Sequence, residues 1–381
     1  MAPIVNQKKQ HDGDQPEPLP SAATTGSHFN VTELERAGLI SDAWAVPGDI
    51  NTTPMWFDVL QKTVFPSDDG VRYHYHTDGK ETVLLPLRRS TSGWGIKTLE
   101  SFGNFYTTLY APLQTSNIGN RALRHLLAAA VKEHGGAHVM LFAPLDSDAP
   151  SFDQLYNEIK AIGWIPFSFF CFGNWFLKVD GDWQSYLRGR SANLRSTINR
   201  MTKKFTGAGG TLEVIKDSTN IEQAIAAFEE VYSSSWKIPE PYPEFIPALI
   251  RRMAEKGMLR LGIARLGTQA IACQLWIVTG KKASIFKVAY HEDYAEYSPG
   301  TVLTAHLLHH VIDDDHVTEV DFLKGDDKYK RIWMSHRRER RGIVAYNPAT
   351  FIGLVLLAKE RMGRMARSIG RRWAKLRAEK T

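Results

Sequence analysis

Between Lys282 and Ser335 a few residues have types and spacing that could do chemistry: a helix start able to hold an anion, a carboxylate at a strand end and a phenol beside an ammonium. Ser298-Pro299-Gly300-Thr301-Val302 reads as a helix start: a serine to cap it, a proline pre-set for the first helical position, and a glycine that admits close approach to the backbone. The amides of Gly300, Thr301 and Val302 are then expected to point free out of the helix, where its dipole favours phosphate. An ordinary capped helix accounts for the same residues. Asp321 ends a later strand, and its carboxylate can take a proton from an attacking amine or hydroxyl, orient that group, or cap a turn. Tyr329-Lys330, a phenol beside an ammonium, follows on a short helix; a core tyrosine next to a solvent-facing lysine is the plainer account.

Other chemistries find less support in the chain. His306, His309 and His310 lie on a helix whose buried side is set by Leu303, Leu307, Leu308, Val311 and Ile312, which leaves His306 and His309 largely opposite. No Cys or Glu stands near them at ligand spacing, so no metal is expected. A G-x-S-x-G elbow for Ser-His catalysis is absent. Cys171 and Cys273 sit in apolar strand-like runs and read as buried small hydrophobes, which fits a reducing, cytoplasmic compartment.

The elements that must position these residues repeat. After residues 1–28, whose Gln, Pro, Asp, Ser and Thr read as a disordered tail, a helix is expected at Pro54 to Val64. Strands follow at Val71 to Thr77 and Thr82 to Arg88 across Asp78-Gly79, then an extended stretch Thr98 to Tyr110. A helix Asn120 to Glu133, a strand His138 to Pro144, a helix Phe152 to Ile162 and an aromatic strand Ile165 to Val179 complete this part. A basic helical segment, Asp182 to Phe205, broken near Gly189, leads into a second cycle. There the order of helices, strand hairpin, third strand, helix, strand, helix and strand recurs up to Tyr346. The reading is a mixed α/β (α+β) fold of two tandem domains, each a mixed central sheet flanked by helices. They span residues 29–180 and 181–347, with a basic amphipathic helix over 348–381.

That order, together with GNWFLKVDGDWQSYLRGRSANLRSTINRM, IACQLWIV, YSPGTVL and DFLKGDDKYKRIW, resembles the CelD/BcsL-type branch of the GNAT acetyltransferase superfamily, itself similar to the FemAB-like double-GNAT transferases. The likeness runs from about Trp56 to Asn347. It implies that the central strand pair splays to admit a thioester, acetyl-CoA or another acyl-CoA as co-substrate. Val288 and Ala289 would lie along the donor's pantetheine arm, with Ser298, Gly300, Thr301 and Val302 at its phosphates. By the same resemblance Tyr329 would protonate the leaving thiolate and Lys330 polarise the reacting carbonyl, while Asp321 faces the acceptor. Attack on the thioester would be direct, with the protein supplying position and charge. The implied acceptor is an amine or hydroxyl on a surface polysaccharide or its precursor. Competing readings are a FemAB-like aminoacyl-tRNA-dependent transferase acting on a cell-wall precursor, and a non-catalytic ligand-binding protein of the same fold.

The chain of 381 residues has a net charge of +6 and a pI near 9.1, and the excess is local. Arg188, Arg190, Arg195, Arg200, Lys203 and Lys204 form one cluster, and Arg337, Arg338, Arg340 and Arg341 another. Either suits an anionic acceptor or a solvated surface. Few aromatics interleave with them, which argues against nucleic acid other than the tRNA of the competing reading. From Phe351 on, Val355, Ala358, Met362, Met365, Ile369, Trp373 and Leu376 recur at helical spacing among arginines. Such a helix either packs on its own protein or lies on an anionic membrane surface, here the inner face of the cell membrane.

Overall fold

The computed structural model describes residues 23–40, 48–78, 81–114 and 120–378, with the backbone alone for residues 120 and 368–378. Residues 1–22 of the expected tail, and Gly79 of the expected hairpin turn, lie outside them. The first half runs β1 (Thr24–His28), α1 (Val31–Arg36), α2 (Pro54–Val64), β2 (Val71–Thr77), β3 (Thr82–Thr91), β4 (Lys97–Ser101), β5 (Leu113–Gln114), α3 (Asn120–Glu133), β6 (Val139–Asp146), α4 (Pro150–Ala161) and β7 (Ile165–Lys178). The second runs α5 (Trp183–Arg188), α6 (Ala192–Gly207), β8 (Gly210–Ile215), α7 (Ile221–Ser233), α8 (Phe245–Glu255), β9 (Leu259–Leu266), β10 (Gln269–Thr279), β11 (Lys282–Tyr290), α9 (Pro299–Asp313), β12 (Glu319–Lys324), α10 (Lys328–Trp333) and β13 (His336–Tyr346). α11 (Phe351–Ala378) closes the chain.

Local chemistry starts these elements where the sequence suggests. Thr53 accepts from the Trp56 amide at 3.2 Å ahead of Pro54, so α2 begins with its cap satisfied. In α9, Leu303, Leu307, Leu308, Val311 and Ile312 are all buried, as their spacing requires. Two stretches differ from expectation. Thr24–His28 is a strand paired with β2 rather than part of a tail. The extended stretch from Thr98 ends at Ser101, because Asn104 turns the chain: its side chain accepts from the Tyr106 amide, and its amide donates to Thr107 Oγ1.

Among the described residues all thirteen strands belong to one sheet, in the order β1-β2-β3-β4-β6-β13-β7-β12-β11-β10-β9-β8, with β5 on β3. Each half contributes antiparallel strands followed by a parallel crossover, β4 to β6 through α3 and β11 to β12 through α9. The last strands are exchanged: β7 leaves the first half to pair with β12, and β13 returns to pair with β6, while β7 and β13 pair with each other. The core crosses between halves in the same way. Trp56 of α2 is fully buried edge-on against Phe245 of α8 and Phe286 of β11.

Candidate active site

β11 and β12 run in parallel register for three pairs, Lys282 with Glu319, Ala283 with Val320 and Ser284 with Asp321, and then part. β11 carries a bulge opposite Leu275 and Trp276, and β12 bends at Leu323, whose φ of 53° is left-handed. From Ile285 to Tyr290 β11 therefore faces a cavity of about 750 Å³ in place of a neighbouring strand. Phe105 and Tyr106 from the first half, and Tyr232 and Trp236 from the second, line its far wall.

Asp321 makes the bend. Its carboxylate is 1% exposed and accepts from the Leu323 amide at 2.7 Å and from Asn174 Nδ2 at 2.5 Å, and Asn174 Nδ2 also donates to the Leu323 carbonyl at 2.9 Å. Lys282 Nζ and Arg338 Nη2 approach the other oxygen at 3.0 and 2.5 Å. Lys282 also reaches Asp49 at 2.7 Å, and Arg338 reaches Glu319 at 2.7 Å. Burial pushes the Asp321 pKa up, but Lys282, Arg338 and the Asn174 hydrogen bond outweigh it and hold the carboxyl well below the usual carboxylate range. A carboxylate so occupied cannot serve as a general base near neutral pH, and Asp321 does not line the cavity. The base assignment is corrected to a positioning role.

The start of α9 also differs in detail. Ser298 is left-handed (φ 47°, ψ 49°) and its side chain makes no capping bond. Its carbonyl instead accepts from both the Thr301 and Val302 amides, at 2.9 and 3.1 Å. Of the three amides expected to be free, only that of Gly300 lacks a partner among the described residues. Val302 is 1% exposed, packs in the core and does not reach the cavity. The turn itself is held from below: buried Gln274 of β10 donates to the Gly300 carbonyl at 3.0 Å and to Thr304 Oγ1 at 2.8 Å.

Val288, Ala289, Ser298, Gly300, Thr301, Tyr329 and Lys330 do meet at one cavity. Tyr329 packs edge-on to Phe322 and places its hydroxyl 3.3 Å from Thr304 Oγ1; the residue is 39% exposed, but desolvation of the hydroxyl raises its pKa. Lys330 Nζ donates to the Phe322 carbonyl at 3.0 Å and to the Lys324 carbonyl, the two that the Asp321-stabilised bend turns toward it. Burial lowers its pKa, outweighing the pull of Asp327 and Asp321.

Sequence reasoning missed a second polar cluster, of which Tyr106, Tyr232 and Lys287 line the cavity. Glu240, in the loop between α7 and α8, accepts from Tyr106, Tyr232 and Lys287 at 2.5 Å each. Burial favours the neutral acid, yet these three donors hold its pKa below the usual value; burial lowers that of Lys287. The one available signal was Lys287 itself, a single cation inside the apolar strand SIFKVAY. The histidines of α9 are taken up locally, His309 with Asp313 at 3.1 Å and His310 with Asp314 at 2.7 Å. Among the described residues no group of three or more His, Cys, Asp or Glu is arranged to hold a metal.

A splayed parallel pair bridged by a crossover helix, with a cavity along the open strand, invites comparison with known proteins. Residues 192–331 match the family model described as an acetyltransferase (GNAT) domain. The matched stretch holds every lining residue named above except Phe105 and Tyr106. Over nearly the whole chain the fold is similar to that of FemX, at 12% identity, 85% of this chain, 97% of that one and a TM-score of 0.61. It is also similar to the C-terminal domain of a putative lysylphosphatidylglycerol synthetase from Agrobacterium fabrum (13% identity, 79% and 94% covered, TM-score 0.51). A third likeness is to a conserved protein of unknown function from Bacteroides thetaiotaomicron (12%, 80% and 95%, 0.52). At these identities the likeness concerns the fold. No curated protein matches the chain.

Proposed function

We propose that the chain is an acyltransferase that moves an acyl group, most simply acetyl, from a thioester such as acetyl-CoA to an amine or hydroxyl acceptor. The observation that carries this reading is the open edge of β11, whose backbone groups at Val288 and Ala289 can pair with an extended pantetheine arm as a strand would. The Gly300 amide and the hydroxyls of Ser298 and Thr301 take the donor's phosphates. Lys330 spends two N–H groups on backbone carbonyls and keeps a third for the oxyanion that forms when the acceptor attacks. Tyr329, its proton retained by a raised pKa, passes that proton to the departing thiolate. Residues 181–347 carry the donor in this reading, and residues 29–180 shape the acceptor side through Tyr106. The acceptor is a surface polysaccharide or its precursor, met in the cytoplasm.

Titration calorimetry with acetyl-CoA, longer acyl-CoA and charged tRNA tests the donor; no heat with any thioester would remove the proposal. Lys330→Ala is expected to lower kcat by about 10²–10³-fold while donor affinity changes little, and an unchanged rate would remove its role. A second reading, transfer from aminoacyl-tRNA to a cell-wall precursor, is favoured by one feature. A groove of about 400 Å³ lined by Arg190, Lys328 and Arg331 opens beside α10, next to Tyr329 and Lys330. Heat with charged tRNA alone would select that reading.

A further inference from the structure

α11 spans Phe351–Ala378, and one side of it is bound to its own sheet. Leu357 is 6% exposed, and Arg364 donates to the Ser168 carbonyl at 3.0 Å while lying over the Phe167 ring. The opposite side has no cover: Phe351, Val355, Met362 and Met365 are 82%, 51%, 61% and 62% exposed. At the helical repeat these four fall within an arc of about 80°, so they form one continuous apolar strip. Lys359 and Arg361, both exposed, border it on either side. Charge on the helix is one-sided in sign, with eight Lys and Arg against Glu360 alone. That glutamate is turned away from the strip and paired with Arg364 at 2.7 Å.

We propose that this face of α11 docks on an anionic lipid bilayer. The apolar strip enters the boundary between headgroups and acyl chains, and Lys359 and Arg361 meet lipid phosphates from its flanks. Large apolar side chains exposed in a row mark an interaction surface on a folded chain. The charge decides among occupants: two copies laid strip to strip would bring the Lys359 and Arg361 flanks of both helices together, whereas an anionic membrane surface complements them. Among the described residues no helix is long and apolar enough to cross a membrane, so the contact is peripheral.

Flotation of the full-length protein with vesicles tests this. With vesicles containing about one-third phosphatidylglycerol in phosphatidylcholine the protein is expected to float, and with phosphatidylcholine alone to remain below; high salt should weaken the association. Met362→Glu with Met365→Glu should reduce partitioning at least about tenfold, with an unchanged melting temperature because both side chains are exposed. Arg361→Glu should reduce it several-fold and flatten the salt dependence. No flotation with anionic vesicles, or flotation indifferent to the double substitution, would overturn the proposal. So would a dimer by light scattering that the double substitution dissolves, since the face would then belong to a second copy.

Discussion

β4 and β6 of the first half pair in parallel over three residues, as β11 and β12 do in the second, and in both halves the strands then diverge. The first opening is filled by the chain that follows β4. Ser101 Oγ bonds both the amide and the carbonyl of Ala143, the Tyr110 amide donates to the Pro144 carbonyl at 2.6 Å, and the buried Tyr110 hydroxyl reaches the Pro86 carbonyl at 2.8 Å. The second opening holds no such segment and is the 750 Å³ cavity. Topology thus supplies an opening twice, and the residues after the third strand decide whether it becomes core or site. Gly103-Asn104 turns the chain inward in one half. In the other, the segment from His291 to Ser298 turns outward and delivers the start of α9 to the rim.

The comparison can be broken at its supports. Lys282→Ala removes one of two cations from buried Asp321 and the partner of Asp49. It is expected to cost about 3–5 kcal/mol in denaturant unfolding and to lower donor affinity, because the Leu323 bend loses its hold. Unfolding without a change in donor affinity would separate the ion network from the splay. Tyr110→Ala should cost about 3–4 kcal/mol by leaving a cavity where the first half is plugged. Calorimetry should still count one donor per chain; a second site would show that Tyr110 alone closes the first opening.

Acid should distinguish the halves next. His74 and His134 of the first half face each other at 3.1 Å with Glu133, Arg72 and Arg89 around them, and burial, then the neighbouring His134 and Arg72, lowers the His74 pKa to about 3. A histidine depressed in the fold contributes stability that is fully present above its unfolded pKa of about 6.5 and lost as pH falls toward the folded value. Stability should fall by on the order of 2 kcal/mol between about pH 7 and pH 4.5. His74→Phe should flatten that slope. The lowered pKa of Asp321 acts only further down, through and below the ordinary aspartate range, so donor binding should outlast the first loss. The smallest effect expected is that of Gly300→Asp, about tenfold in donor affinity, since a Cβ there meets only Tyr290, at 3.4 Å, and the added charge opposes phosphate. Unaltered affinity would move the phosphates elsewhere.

Element order was legible because it rests on local periodicity: the stripe of α9, the caps of α2 and the hairpin spacing needed no partner. The misread residues are those whose role depends on distant ones. Asp321 looked available as a base because nothing near it in the chain reveals Lys282 on the adjacent strand, Arg338 on β13 or Asn174 on β7. Ser298 has an N-cap's residue type, but its left-handed backbone follows from the turn before it and spends its carbonyl on two amides. Glu240 was invisible because Tyr106 stands 134 positions away.

By itself the sequence determined a twice-run α/β order, the place of Tyr329-Lys330 beside a helix start, and a basic amphipathic end, because propensity, capping and apolar spacing act over a few residues. Tertiary structure alone decided the exchange of β7 and β13, the filling of one opening by the chain itself and the cavity at the other. It also turned Asp321 from an available carboxylate into a buried anchor, since pairing between strands far apart in the chain sets which charges are desolvated together.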